Sequence, residues 1–120
     1  MTLRILIADD DTISRIMLSA YLEALGHLVT ETKDGDELVI EANKKRHDLI
    51  ITDLIMEDMN GDEAAHIIKL NAKNYIILAT SSDNNKLPIF DDIICKPFTI
   101  RKLSDAIDRF MVLTNPRYSV

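Results

Sequence analysis

The stretch "ILIADDD", Ile5 to Asp11, decides how this chain is read. A short apolar run stops abruptly at three consecutive aspartates. Like charges this close repel one another, so their place at the mouth of an apolar strand needs a physical reason. The run also has relatives further along. Leu3–Ala8, Leu28–Thr32, Leu49–Thr52, Tyr75–Thr80 and Ile93–Cys95 are all short, rich in Ile, Leu and Val, and without clean polar alternation. Strands read this way when both faces of their sheet are covered.

Helical patterns separate the runs. In Thr12–Leu25 the apolar positions Ile13, Ile16, Met17, Ala20, Tyr21, Ala24 and Leu25 recur with a period near 3.6, and Gly26 follows as a stop signal. Asp36–Lys45 repeats the pattern more weakly through Leu38, Val39 and Ala42. Asp62–Leu70 carries it through Ala64, Ala65, Ile67, Ile68 and Leu70, and Ile100–Leu113 through Leu103, Ala106, Ile107, Phe110 and Met111. Alternation of strand and helix implies a parallel α/β sheet with right-handed crossovers and helices on both faces. Ligands of such sheets bind beyond the carboxyl ends of the strands, near the switch in strand order.

Those ends carry the polar chemistry. Asp9, Asp10 and Asp11 follow the first strand, Asp53 the third, Thr80 and Ser81 the fourth, and Lys96 with Pro97 the fifth. Taken singly, each aspartate reads first as a helix cap or turn residue, and Asp11 suits the cap of a helix starting at Thr12. Taken jointly they form a cleft of carboxylates closed by a hydroxyl and an ammonium. Crowded carboxylates are unfavourable unless a cation is bound or a proton is shared. Oxygen-only ligands suit Mg²⁺, which binds through one or two carboxylates plus phosphate oxygens. Lys96 and Thr80 are then placed to meet a phosphoryl group, with Asp53 as its nucleophile.

Composition narrows the alternatives. The 120 residues suit one domain, residues 1–120 with a frayed tail or linker start from about residue 114. No apolar run is long enough to span a membrane, and no secretory leader is recognisable. A single cysteine, Cys95, excludes an internal disulfide, argues for a reducing, cytoplasmic setting, and reads as a buried, inert thiol. The net charge of −6 disfavours nonspecific nucleic-acid binding. Lys44, Lys45 and Arg46 read as a solvated helix end, and His27, His47 and His66 as surface or packing residues.

The segments "ILIADDD", "DLIITDLIMEDMNGDE", "YIILATSS" and "ICKPFT" together resemble the receiver domain of bacterial two-component response regulators, of the single-domain, chemotaxis-regulator-like kind. The resemblance runs from Leu3 to about Leu113. It implies a flavodoxin-like doubly wound sheet of five parallel strands in the order 2-1-3-4-5. It implies a phosphorelay role, with Asp53 accepting a phosphoryl group from a histidine kinase or phosphotransfer protein in a Mg²⁺-dependent reaction and a downstream protein partner responding. Asp10 would bind Mg²⁺ directly, Asp9 through water, with Asp53 and the Ile55 carbonyl as further ligands. Thr80 would donate its hydroxyl to the phosphoryl group and Lys96 would pair with it. Asp11 takes no metal role. A cis bond before Pro97 also follows from the resemblance. Gly61 is expected to allow the turn that opens the third helix. No enzymatic action on an external substrate, and no nucleic-acid or membrane partner, is expected.

Three departures from the family pattern stand out. Glu57 occupies a position usually held by proline, so a looser loop of unchanged length is expected. The segment "SSDNNKLPIFDDIIC" is short and contains Pro88, so the fourth helix should be short or absent. Ser82–Asp92 should be a loop or a single turn, with Leu87, Ile89 and Phe90 tucked inward. Ile93 stands where many receivers carry a switching aromatic residue. Two rival readings remain: a phosphorylation-independent interaction module (a pseudo-receiver), and a Mg²⁺-dependent phosphatase with an aspartyl nucleophile. The second is disfavoured by Ile55, which stands where such enzymes place another acid.

Overall fold

A computed structural model describes residues 1–81 and 87–115. Its elements run β1 (Arg4–Ala8), α1 (Thr12–Ala24), β2 (Leu28–Thr32), α2 (Gly35–Lys44), β3 (Leu49–Asp53), α3 (Gly61–Asn71), β4 (Ile76–Thr80), β5 (Asp92–Cys95) and α4 (Ile100–Thr114). All five strands are parallel, in the order β2-β1-β3-β4-β5. The doubly wound, flavodoxin-like arrangement expected from the sequence is therefore present.

The central strands β1, β3 and β4 lack polar alternation because each of their faces meets a helical layer. Ile5, Ile7, Ile51 and Ile77 turn to one side, against Leu18 and Leu22 of α1 and Leu103, Ala106 and Phe110 of α4. Leu6, Ala8, Ile50, Ile76 and Leu78 turn to the other, against Leu38 of α2 and Ala64, Ala65 and Ile68 of α3. Period-two geometry sends alternate residues to opposite cores, so a strand buried twice must be apolar throughout. Burying each of the Leu, Ile and Phe side chains among these is worth roughly 1.5–3 kcal/mol.

Local signals set the helix ends. Asp11, Asp34 and Thr99 cap α1, α2 and α4 by accepting from the N–H groups of Ser14, Glu37 and Lys102. Gly26 ends the α1 segment at φ +95°. Lys44, Lys45 and Arg46 are exposed at the end of α2, as expected. α4 ends at Thr114 with Asn115 as its cap, and residues 116–120, where most of the expected tail falls, lie outside the described residues.

Among the described residues no helix separates β4 from β5. Leu87 to Phe90 form a single turn, with the Phe90 N–H donating to the Leu87 carbonyl at 3.1 Å. Phe90 is buried, and Leu87 and Ile89 pack beside it on the α2–α3 side of the sheet, together with Ile93. The part of the loop expectation that concerns residues 82–86 lies outside the described residues. β5 is an edge strand, and Asp92 occupies its start. One Asp92 oxygen accepts the Ile93 N–H at 2.8 Å, and the other accepts from Arg109 at 2.8 Å. Cys95 is half-buried rather than buried, because the edge strand leaves one side open. No described helix is long and apolar enough to cross a membrane.

Gly61 has a different reason to be glycine from the one expected. Its φ is not positive; the left-handed residue of this loop is Asp58, at φ +65°. The Met59 N–H donates to the Glu57 carbonyl at 2.7 Å around Asp58, a tight three-residue turn that holds the loop without proline. Gly61 instead lies so close to β3 that the Asp53 carbonyl oxygen stands where a Cβ would go. Gly35 meets the Met59 carbonyl in the same way. Gly61→Ala should therefore cost about 1–3 kcal/mol of stability, measured by chemical denaturation, because backbone rather than a flexible side chain must shift.

His47 is buried, and burial holds its imidazole below the ordinary histidine value, with the charge of Lys45 adding to the effect. A depressed folded-state value means that the unfolded chain binds the proton first. The stability is complete above about pH 6.5 and is lost as pH falls through the folded value. His47→Gln should flatten the fall in stability between pH 7 and pH 5, followed by melts across that range. An unchanged slope would assign it to other groups.

Candidate functional site

The sheet order brings the ends of β1, β3 and β5 to one edge. Asp9 leaves β1, Asp53 ends β3, and Lys96 leaves β5. The Lys96 ammonium lies 3.0 Å from Asp9 Oδ2 and 3.3 Å from Asp53 Oδ2, bridging the two acids. The Lys96–Pro97 bond is cis, as expected. The Phe98 ring lies 5.7 Å from the ammonium, within cation–π range.

Asp9 is only 1% exposed, and every polar group it has is engaged. Its N–H donates to the Thr32 carbonyl at 3.2 Å. Its Oδ1 accepts the Asp11 N–H at 2.9 Å, and its Oδ2 accepts from Lys96. Its carbonyl accepts from Arg15 Nη1 at 2.8 Å. Asp10, next in the chain, is exposed. One carboxylate oxygen from each of Asp9, Asp10 and Asp53 lies within 4.8 Å of the others. Carboxylate oxygens gathered in this way are the type of donor that a divalent cation such as Mg²⁺ takes.

Asp53 is fixed on both oxygens. Oδ1 accepts the Leu54 N–H at 2.9 Å, and Oδ2 faces Lys96. Burial pushes its pKa up; Lys96 pulls against this, and the neighbouring Asp9 charge adds to the rise. Burial works to lower the Lys96 pKa, but the hydrogen bonds and charges of Asp9 and Asp53 outweigh it and hold the ammonium above its ordinary value. The Asp11 pKa is lowered by the Ser14 N–H, in keeping with a cap rather than a ligand.

Thr80 is buried at the end of β4, one residue beyond Ala79, the partner of Asp53 in the sheet register. Its carbonyl accepts the Lys96 N–H at 2.8 Å, which ties the two strand ends together. Ile55 sits in the loop two residues after Asp53 and is 75% exposed. The structure thus brings Asp9, Asp10, Asp53 and Lys96 into one cluster, with Thr80 and Ile55 on the segments that border it.

Two contributors escape sequence reading. Asn60 makes no side-chain cap for α3; its Oδ1 accepts the Met56 N–H at 3.1 Å and so closes the Ile55 loop. Arg15 reads as one more polar position on α1, yet it holds the Asp9 carbonyl. Any asparagine before a helix signals a cap, and no local pattern signals a side chain that reaches back to a strand-end carbonyl.

Comparison with known proteins is consistent with this arrangement. The family model of the response regulator receiver domain matches residues 5–108. The transcriptional regulatory protein ResD of Bacillus subtilis is 32% identical over 106 residues, covering 83% of this chain and 44% of that protein. The response regulator VraR of Staphylococcus aureus is 31% identical over 116 residues, covering 89% of this chain and 56% of that one. The chain thus spans about half the length of the curated relatives it matches. Among solved structures, the chemotaxis protein CheY4 of Vibrio cholerae superposes with a TM-score of 0.85 at 25% identity, covering 92% of this chain and 99% of that one. The response regulator TrrA of Thermotoga maritima, solved in complex with Mg(2+)-BeF, gives 0.84 at 26% identity, covering 90% and 98%. The chain belongs to the response regulator receiver domain family.

Proposed function

We propose that this receiver domain accepts a phosphoryl group on Asp53, from a histidine kinase or phosphotransfer protein, and thereby changes its affinity for a protein partner in the cytoplasm. The observation that carries the reading is the Lys96 ammonium set between Asp9 and Asp53, with Asp10 beside them. Asp9, Asp10 and Asp53, with the Ile55 carbonyl, would hold Mg²⁺, which when bound supplies positive charge for phosphoryl oxygens. The Mg(2+)-BeF complex of TrrA supports this assignment.

The chain's own residues account for the rest. Leu54 and Lys96 set the plane of the Asp53 carboxylate before a donor arrives. Burial raises the Asp53 pKa in the cation-free site, and Lys96 keeps the ionised carboxylate paired until a donor arrives. One Asp53 oxygen forms the new P–O bond while the donor nitrogen leaves with the electron pair of the broken P–N bond. Lys96 keeps its charge and follows the negative charge from the carboxylate to the phosphoryl oxygens. Thr80 donates its hydroxyl to the same group and carries the change into β4. The domain catalyses its own phosphorylation and hydrolysis and turns over no external substrate.

With acetyl phosphate and Mg²⁺, intact-mass spectrometry should show one added phosphoryl group on the wild type and none on Asp53→Asn, since an amide forms no acyl phosphate. Labelling of the Asn variant at the wild-type level would place the acceptor elsewhere. The raised pKa of Asp53 means that its ionisation costs the fold stability at neutral pH. Asp53→Asn should therefore also melt higher than the wild type in EDTA. Mg²⁺ should raise the wild-type melting temperature by binding the folded state, and Asp10→Asn should lose most of that rise. A wild-type melt indifferent to Mg²⁺ would refute the cation site.

A further inference from the structure

We infer that Arg15 is a positioning residue for the acidic loop, braced by Glu31, and that it sets the direction in which Asp10 presents its carboxylate. The inference rests on the cation site proposed above. Arg15 lies in the second turn of α1, and its side chain is 18% exposed. Nη1 donates to the Asp9 carbonyl at 2.8 Å, and Nε lies 3.3 Å from Glu31 Oε1. Glu31 belongs to β2, where it pairs in register with Ile7 of β1. The guanidinium therefore spans from the neighbouring strand to the last carbonyl before Asp10.

That carbonyl belongs to the peptide unit joining Asp9 to Asp10. A peptide unit is planar, so fixing its oxygen fixes the orientation of the N–H and Cα that follow. On the Asp9 side the chain is already tied, through the Thr32 carbonyl, the Asp11 N–H and Lys96. Among the described residues no hydrogen bond or ion pair ties Asp10 in the same way, and it is exposed. Rotation of the Asp9–Asp10 peptide is the motion that would swing the Asp10 carboxylate out of the cluster it forms with Asp9 and Asp53. Arg15 opposes that rotation. Its planar fork reaches both partners at once, which a single ammonium does less well.

Two effects of Arg15 on cation binding have opposite signs. As a nearby positive charge it repels a divalent cation, so removing it would tighten binding. As a clamp it preorganises a ligand, so removing it would weaken binding. The short, charge-assisted contact to the carbonyl argues that the clamp dominates. Groups that orient metal ligands from outside the coordination sphere typically change metal affinity by about 10–100-fold. Glu31 is 41% exposed, so its pairing with Arg15 adds little to stability by itself. That separates the positioning role from a merely structural one.

Calorimetric titration with Mg²⁺ alone, on the whole chain, tests the inference. Arg15→Ala should weaken binding about 10-fold. Arg15→Lys should recover part of the loss, and Glu31→Gln should weaken binding by a smaller factor in the same direction. Saturating Mg²⁺ should restore acetyl phosphate labelling of Arg15→Ala, since the defect lies in loading the site. If the wild type binds no Mg²⁺, the cation site itself fails. If the wild type binds and folded Arg15→Ala binds equally or more tightly, the positioning role is overturned. Should Arg15→Ala fail to fold, unchanged Mg²⁺ affinity in Glu31→Gln overturns it as well.

Discussion

The ammonium of Lys96, held 3.0 Å from one carboxylate and 3.3 Å from another, is the constraint around which the rest of the molecule is arranged. Asp9 is almost wholly removed from water, and an unpaired charge in such a place costs several kcal/mol. The compensating cation arrives from the far side of the sheet, 87 residues later in the chain. Two neighbouring central strands, β1 and β3, must present their acids side by side. The edge strand β5 must then stop where its next residue reaches back across β4, and the Thr80 carbonyl fixes that stop by accepting the Lys96 N–H.

The same geometry sets the charge balance of the site. Lys96 offsets the repulsion without cancelling it, and burial leaves Asp53 more basic than an ordinary carboxylate. The cluster keeps an excess of negative charge facing solvent through Asp10, which is what a cation and then a phosphoryl group would meet.

Much of this was legible in the sequence. Strands covered on both faces betray themselves as continuous apolar runs, and acids, a hydroxyl and a lysine at successive strand ends give the cluster away. The expected loop, or at most one helical turn, over Ser82–Asp92 lies partly outside the described residues; within them Leu87–Phe90 make one turn, with Leu87, Ile89 and Phe90 packed inward as expected. What escaped reading depends on proximity between distant segments. Gly61 looked like a turn glycine, but its glycine is required by the Asp53 carbonyl. Asn60 drew no reading from the sequence, and its Oδ1 serves the Met56 N–H. Cys95 looked buried, but the openness of the edge strand is a property of the sheet and not of its own neighbours. Arg15 carried no signal because its partner is a backbone oxygen, which every residue possesses.

The start of β5 has a consequence for how copies of this chain behave toward one another. An edge strand offers a row of unpaired backbone groups onto which another strand can zip, the first step of self-association into extended sheets. Because Lys96 turns its N–H to β4, Ile93, three residues earlier, turns its own away, toward the open side. Asp92 already occupies that donor and is itself anchored by Arg109. An approaching strand would have to displace a carboxylate held at both oxygens and then lie alongside its charge. The edge thus carries its own guard against aggregation, built from one acidic side chain and its arginine.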